Sequence, residues 1–188
     1  MKLRTVLLIG LLVGGLLPAS ACDPTTFLLL APTVIKNLGG NSGNDGDPFE
    51  QPRDIAALRV EMLGYINDSR EEADLPPLVL SSQLNGVAQA HSIDMVDEDF
   101  VGHTSPDGST TQSRVRNAIG EWSYLGENIG AGFATIRKAH NAFMDSDENR
   151  KNILARQATQ VGIGMDFGDD SNEFKDGIYL TLIFFAPK

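Results

Sequence analysis

The sequence predicts an α+β domain, helices first and strands last, with the helices packed on a mainly antiparallel sheet. Three observations carry this. Apolar residues recur at helical spacing between Ile55 and Phe143, and from Val161 onward the period changes to that of strands. The chain of 188 residues has a single cysteine, Cys22, so no disulfide can form within it and the fold must rest on its core. The 135 residues from Asp54 to Lys188 are enough for one domain with such a core.

The first helix is predicted from Ile55, Leu58, Met62 and Tyr65/Ile66, with Arg59, Glu61 and Asp68 between them. It should stop before Leu75-Pro76-Pro77, which cannot continue it. A second helix opens at Ser81-Ser82, either of which can serve as N-cap, and its stripe is Leu84, Val87, Ala88, His91 and Met95. A short helix covers roughly residues 111–119, and another covers about 134–145 with Ile136, Ala139, His140 and Phe143 on one face. Val161, Ile163, Met165 and Phe167 alternate with Gly162, Gly164 and Asp166, the pattern of a half-buried strand. The run from Ile178 to Ala186 is almost wholly apolar and reads as a central strand covered on both faces. The polar segment 168–177 is the hairpin loop between them. Its Asp169-Asp170-Ser171-Asn172-Glu173 lacks the spacing of a calcium loop and reads as a solvated turn.

The N-terminal segment has a different character. Lys2 and Arg4 precede an uncharged apolar run, Thr5 to Leu17, which is about as long as the core of a signal peptide and short for a bilayer span. Pro18-Ala19-Ser20-Ala21-Cys22 follows. Residues 1–21 therefore resemble a bacterial lipoprotein signal, with Cys22 as the lipidated first residue of the mature chain. Ala19 stands where such signals usually carry Leu, and an ordinary secretory signal is the alternative. Residues 22–53 read as a lipidated N-terminus and flexible tether, because Gly39-Gly40-Asn41-Ser42-Gly43-Asn44-Asp45-Gly46-Asp47-Pro48 offers almost no apolar area to bury. The expected location is the cell envelope, on the outer face of a bacterial membrane, attached through the lipid.

Charge narrows the partners. The formal charge is −10, and cleavage before Cys22 leaves 13 basic and 25 acidic residues, a charge of −12. Such a surface repels polyphosphate, so nucleic acid is excluded as a partner, and it does not dock by charge onto an anionic bilayer.

His103 and Glu127 are the candidate catalytic residues. His103 lies in Gly102-His103-Thr104-Ser105-Pro106-Asp107-Gly108 and Glu127 in Leu125-Gly126-Glu127-Asn128-Ile129-Gly130. Both segments are rich in Gly, Pro, Asp or Asn, so both read as loops. An imidazole and a carboxylate held on loops are the parts of proton-transfer and metal sites. A buried carboxylate capping loop amides explains Gly-Glu-Asn equally well. His91 and His140 sit on apolar helix faces and read as core. Ser105 has no adjacent base and no nucleophile elbow, so it takes no catalytic role. Trp122, Tyr124 and Phe133 read as packing.

The order Asn67-Asp68-Ser69-Arg70, Pro77-Leu78, Leu84/Ala88/His91/Met95, Gly102–Gly108, Gly126-Glu127-Asn128-Ile129, Arg150-Lys151-Asn152-Ile153-Leu154 and Val161-Gly162-Ile163-Gly164 resembles the CAP superfamily. That superfamily comprises cysteine-rich secretory, antigen 5 and pathogenesis-related proteins, and the likeness is to its bacterial SCP-like members. The resemblance covers roughly residues 59–185. It implies an α-β-α sandwich over residues 54–188, with a cleft that in many members holds two His and two acids and is associated with metal, often zinc. His103 matches the first His and Glu127 the first Glu. Asn149 stands where bacterial members carry the second His, and Ser146 or Gln160 where members carry the second acid.

Half of that set is a poor zinc site, since an asparagine amide is a poor zinc ligand. The expectation is therefore no metal and no cofactor. The ligand cleft is expected to comprise His103, Ser105, Glu127 and Asn149, and to bind an envelope glycan, lipid or peptide without strong catalysis. Two alternatives stand beside it. One is a hydrolase or metal-dependent enzyme using His103 and Glu127; the other is a structural or partner-binding module with a vestigial cleft.

Overall fold

Asp54 starts the first helix by accepting a hydrogen bond from the Ala57 amide at 3.1 Å, which satisfies one of the free N–H groups of the first turn. The computed structural model describes residues 54–188. The expected signal, the lipidation site Cys22 and the tether lie outside the described residues. Five helices and four strands follow in the order α1 Ile55–Glu72, β1 Val79–Leu80, α2 Ser82–Asp97, α3 Thr111–Ala118, β2 Trp122–Phe133, α4 Ile136–Asp145, α5 Asp147–Ile153, β3 Gln160–Phe167 and β4 Ile178–Pro187. Ser81, Thr110, Thr135 and Ser146 cap the N-termini of α2, α3, α4 and α5 with their hydroxyls.

The sheet order is β1-β3-β4-β2, antiparallel except for the short parallel pair β1–β3. β4 lies between β3 and β2 and is buried from Ile178 to Ala186, as its unbroken apolar run predicts. Its side chains alternate between two cores. Leu180, Leu182 and Phe184 join Met62 and Ile66 of α1, Ala139 and Phe143 of α4, and Ile153 of α5. Ile183 and Phe185 join Leu84 and Ala88 of α2 and Val115 of α3. The result is a three-layer α-β-α arrangement with α2 and α3 on one side of the sheet and α1, α4 and α5 on the other.

Two expectations are corrected. The segment Leu125–Gly130 is not a loop but the middle of the 12-residue strand β2, paired with β4 in an unbroken register from Tyr124↔Ala186 to Gly130↔Leu180. Its glycines serve close approach rather than turning. A Cβ on Gly126 would sit 2.7 Å from Asn152 Oδ1, and one on Gly130 would sit 2.8 Å from the Phe133 ring. β3, in turn, is not half-buried: Val161 to Met165 are buried on both faces. The second face belongs to α2, whose backbone lies directly on Gly162 and Gly164.

The open edge of β3 is closed by side chains. β1 supplies only two residues, so beyond Val161 the backbone of β3 needs other partners on that side. The Ile163 N–H donates to Asn85 Oδ1 at 2.8 Å, and the Ile163 carbonyl accepts from Arg59 Nε at 2.7 Å. Gln89 Nε2 donates to the Met165 carbonyl at 2.8 Å. Asn67-Asp68-Ser69-Arg70 is a second staple. Asn67 bonds both the N–H and the carbonyl of Leu78, and the fully buried Arg70 guanidinium donates to the carbonyls of Pro76, Ile153, Ala155 and Ala158.

The glycine contact yields a paired prediction. A Cβ on Gly164 would sit 2.1 Å from the Ala88 carbonyl carbon, so Gly164→Ala must push α2 off the sheet. It should cost at least about 3 kcal/mol in urea unfolding. Gly86 is exposed in α2, and a Cβ there meets nothing within 4 Å, so Gly86→Ala should instead stabilise by about 0.5–1 kcal/mol. Equal effects of the two changes would contradict the packing described.

Candidate functional site

Glu127 lies on β2 among alternating side chains. Leu125 and Glu127 face the α2/α3 side, while Tyr124, Gly126 and Asn128 face the side from which α5 reaches β2. This explains the Gly-Glu-Asn sequence residue by residue. Gly126 leaves room for Asn152, which donates to the Glu127 carbonyl at 3.1 Å and to Asn128 Oδ1 at 2.8 Å. Asn128 is fully buried and donates to the Asn149 carbonyl at 3.0 Å, which fixes α5 to β2. Glu127 is left to point the other way.

The Glu127 side chain is 3% exposed and both of its oxygens are engaged. Oε1 accepts from His103 Nδ1 at 2.7 Å and from the Thr111 hydroxyl at 2.6 Å. Oε2 accepts from Arg114 Nη2 at 3.1 Å. Because a carboxylate only accepts, His103 Nδ1 carries the proton. The His103 side chain is 62% exposed, so its ring stands in solvent with one nitrogen tied to a buried anion. In the neutral ring Nε2 is then an acceptor, the arrangement of a general base or of an oriented ligand contact.

His103 sits on a loop, as its Gly/Pro context predicts. Ser105-Pro106-Asp107-Gly108 closes a turn through the Gly108 N–H to Ser105 carbonyl bond at 2.8 Å, and Asp107 Oδ1 accepts from the Ser109 N–H at 2.7 Å. Gly108 has φ +85, which only glycine adopts freely. Thr104 and Thr110 pair across the base of the loop, and Thr110 then caps α3 in a capping box with Ser113.

The loop is pinned from beneath by His91. Its Nε2 bonds the Gly102 carbonyl at 2.9 Å, so Nε2 carries the proton, and the bare Nδ1 of the neutral ring accepts from the Ser105 hydroxyl at 3.3 Å. Burial and the nearby Arg114 push the His91 pKa down. His140, on α4, is also buried, bonded to the Ser69 hydroxyl at 3.1 Å and lowered in pKa by burial. Both histidines lie in the core, as their helix faces predict. Tyr124 and Phe133 pack on one core and Trp122 on the other, with the Arg116 guanidinium 5.1 Å from the Trp122 ring centroid.

A cleft of about 300 Å³ opens at His103, lined by Thr104, Thr110, Thr111 and Gln112 on one side and by Leu125, Gly126 and Glu127 on the other. Two residues expected in it are placed elsewhere. Ser105 is buried under the loop against His91, because its hydroxyl is drawn to that ring. Asn149 lies on α5, where its backbone carbonyl accepts from Asn128, and it is not among the residues that line the cleft. The structure therefore brings together His103 and Glu127, but not Ser105 or Asn149, at the cleft wall. Thr111 and Arg114 touch Glu127 and were not singled out in the sequence. Their signal was available: a threonine and an arginine at i, i+3 spacing on a short helix just after the histidine loop.

The donors do not fit a resident zinc. Zinc takes about four ligands from imidazole, thiolate or carboxylate. Both Glu127 oxygens are already turned inward to protein donors, one of them a guanidinium. No group of three or more His, Cys, Asp or Glu is close enough to hold a metal ion among the described residues.

The layers and the His–carboxylate cleft define an SCP-like α-β-α domain. The model of the cysteine-rich secretory protein (CAP) family matches residues 63–184, and the chain belongs to that family. The uncharacterized protein YkwD of Bacillus subtilis is 30% identical over 113 residues, which is 60% of this chain and 44% of that protein. This chain spans under half the length of the curated relatives it matches. Among solved structures, an extracellular protein containing a SCP domain from Bacillus anthracis is 26% identical with TM-score 0.59, covering 73% of this chain and 45% of that one. An outer surface protein of Borrelia burgdorferi shares the fold at 17% identity with TM-score 0.64, covering 72% and 96% of the two chains. No helix among the described residues is long and apolar enough to cross a membrane.

The two buried histidines set a pH dependence. Each has a folded pKa below its ordinary value of 6.5. At pH above about 6.5 neither state binds the proton; as pH falls through that value the unfolded chain takes it up first, so stability declines. Asp166, raised by burial, acts in the opposite sense but only nearer the carboxylate range. Urea midpoints should therefore fall between pH 7.5 and pH 5.5, and His140→Gln should flatten part of that slope. A midpoint that rises on acidification through this range would contradict the assignment.

Proposed function

We propose that the domain is an exported module, tethered through lipid on Cys22, whose cleft binds a polar ligand of the bacterial envelope without strong catalysis. The observation that carries the proposal is the exposed His103 ring, fixed at Nδ1 by buried Glu127, in a cleft lined also by Thr104, Thr110 and Gln112. These groups donate and accept hydrogen bonds without bringing further charge to the cleft. That chemistry suits the hydroxyl and amide groups of a glycan or peptide better than a lipid chain. The extracellular character of the SCP-domain protein from Bacillus anthracis supports the location.

A hydrolase is the second reading, and the 2.7 Å contact between His103 Nδ1 and Glu127 favours it, because Nε2 is then oriented as a base toward a cleft water. Among the described residues, no serine or cysteine lines the cleft to act as nucleophile.

Isothermal titration with soluble peptidoglycan fragments separates these readings. Binding by the mature protein should weaken roughly tenfold or more in His103→Ala. Equal affinity in both proteins would overturn the binding role of His103. Release of a cleaved fragment that stops in His103→Ala would replace the binding reading with the hydrolase. Mass spectrometry of the mature N-terminus should find acylated Cys22; an unmodified terminus elsewhere would remove the lipid tether.

A further inference from the structure

We infer that Arg114 is the built-in cation of this site: it neutralises Glu127 and holds the His103 loop, the two tasks a metal ion would perform in a cleft with a full ligand set. The inference rests on the reading of His103 and Glu127 as the functional pair, and it concerns what holds that pair rather than what it binds. Arg114 lies in the first turn of α3, and its side chain is 10% exposed. Nη2 donates to Glu127 Oε2 at 3.1 Å, to the His103 carbonyl at 3.2 Å and to the Thr111 hydroxyl at 3.4 Å. Nη1 donates to the Ser109 carbonyl at 3.1 Å and to the Ser105 hydroxyl at 3.4 Å. One guanidinium thus reaches both ends of the loop and the carboxylate that orients its histidine.

The planar fork explains why arginine serves here. Its two terminal nitrogens point to groups on separate segments at fixed angles, which an ammonium on a flexible stem does not reproduce. Buried Glu127 needs an opposite charge, and Arg114 supplies it from within the chain. A divalent cation approaching Oε2 would have to displace the guanidinium and would then sit beside it. Arg114 is a positioning residue in this account, acting through His103 and Glu127.

The test uses zinc as probe on the mature protein and four variants: Arg114→Met, Arg114→Lys, His103→Ala and the Arg114→Met/His103→Ala double. Wild type at millimolar zinc should show no calorimetric heat that His103→Ala removes. Arg114→Met should gain zinc binding roughly tenfold or more tighter than wild type, lost again in the double variant. Arg114→Lys keeps the charge but loses the fork, so it should gain no zinc site, while amide exchange at Ser105 and Gly108 accelerates roughly tenfold. Wild-type zinc binding that matches Arg114→Met and disappears in His103→Ala would overturn the inference. So would exchange at Ser105 and Gly108 unchanged in Arg114→Lys. If Arg114→Met does not fold, the wild-type titration and the Arg114→Lys exchange decide between these outcomes. Loss of peptidoglycan binding in wild type would count against the proposed ligand and leave these results unaffected.

Discussion

A carboxylate buried in a protein interior must find partners for its charge and its lone pairs, and Glu127 organises its surroundings to meet that need. Its partners come from three places in the chain: His103 on the loop after α2, Thr111 at the start of α3, and Arg114 one turn further on. The loop, the short helix and the edge strand are therefore joined at one side chain. Without that anion, Arg114 would be a partly buried cation with only carbonyls and hydroxyls around it, and the His103 ring would be free to turn. The exposed chemistry of the cleft depends on a group that is itself almost wholly out of solvent.

The layers around the site make that placement possible. Gly162 and Gly164 let the backbone of α2 rest on β3, which brings His91 under the Gly102 carbonyl and Ser105. On the other face, Asn152 and Asn128 fix α5 to β2 and so hold the strand that presents Glu127. Edge closure by Asn85, Gln89 and Arg59 completes the sheet where β1 is too short to do so. Apart from Arg59, each of these residues belongs to, or lies beside, one of the short motifs by which the family likeness is read, and most of them serve the scaffold rather than the cleft.

Much of the fold is legible in the sequence. The helical stripes of α1, α2 and α4, the stop at Leu75-Pro76-Pro77 and the apolar run of β4 all express local periodicity, and local periodicity survives in tertiary context. β2 is hidden because Gly126, Asn128 and Gly130 give it the composition of a turn, whereas Gly126 answers to Asn152 on α5 and Gly130 to the Phe133 ring across an irregularity in the strand's register. The same holds for Gly162 and Gly164, whose alternation mimics a solvent face. Within the site, the sequence points to the pairing of His103 with Glu127 but does not assign Arg114 and His91 to it. Their roles arise from contacts across 13 and 14 residues, to Glu127 and Ser105 respectively, and no single-segment pattern encodes such contacts.

The central claim is that Glu127 fixes the proton of His103 on Nδ1 and leaves Nε2 as the acceptor nitrogen. Nitrogen-15 NMR of the ring, at a pH where it is neutral, measures this directly. The account predicts the Nδ1–H tautomer for His103 in the wild-type protein, with that preference lost in Glu127→Ala. A wild-type ring found in the Nε2–H tautomer, or as the free-solution mixture of both, would contradict it.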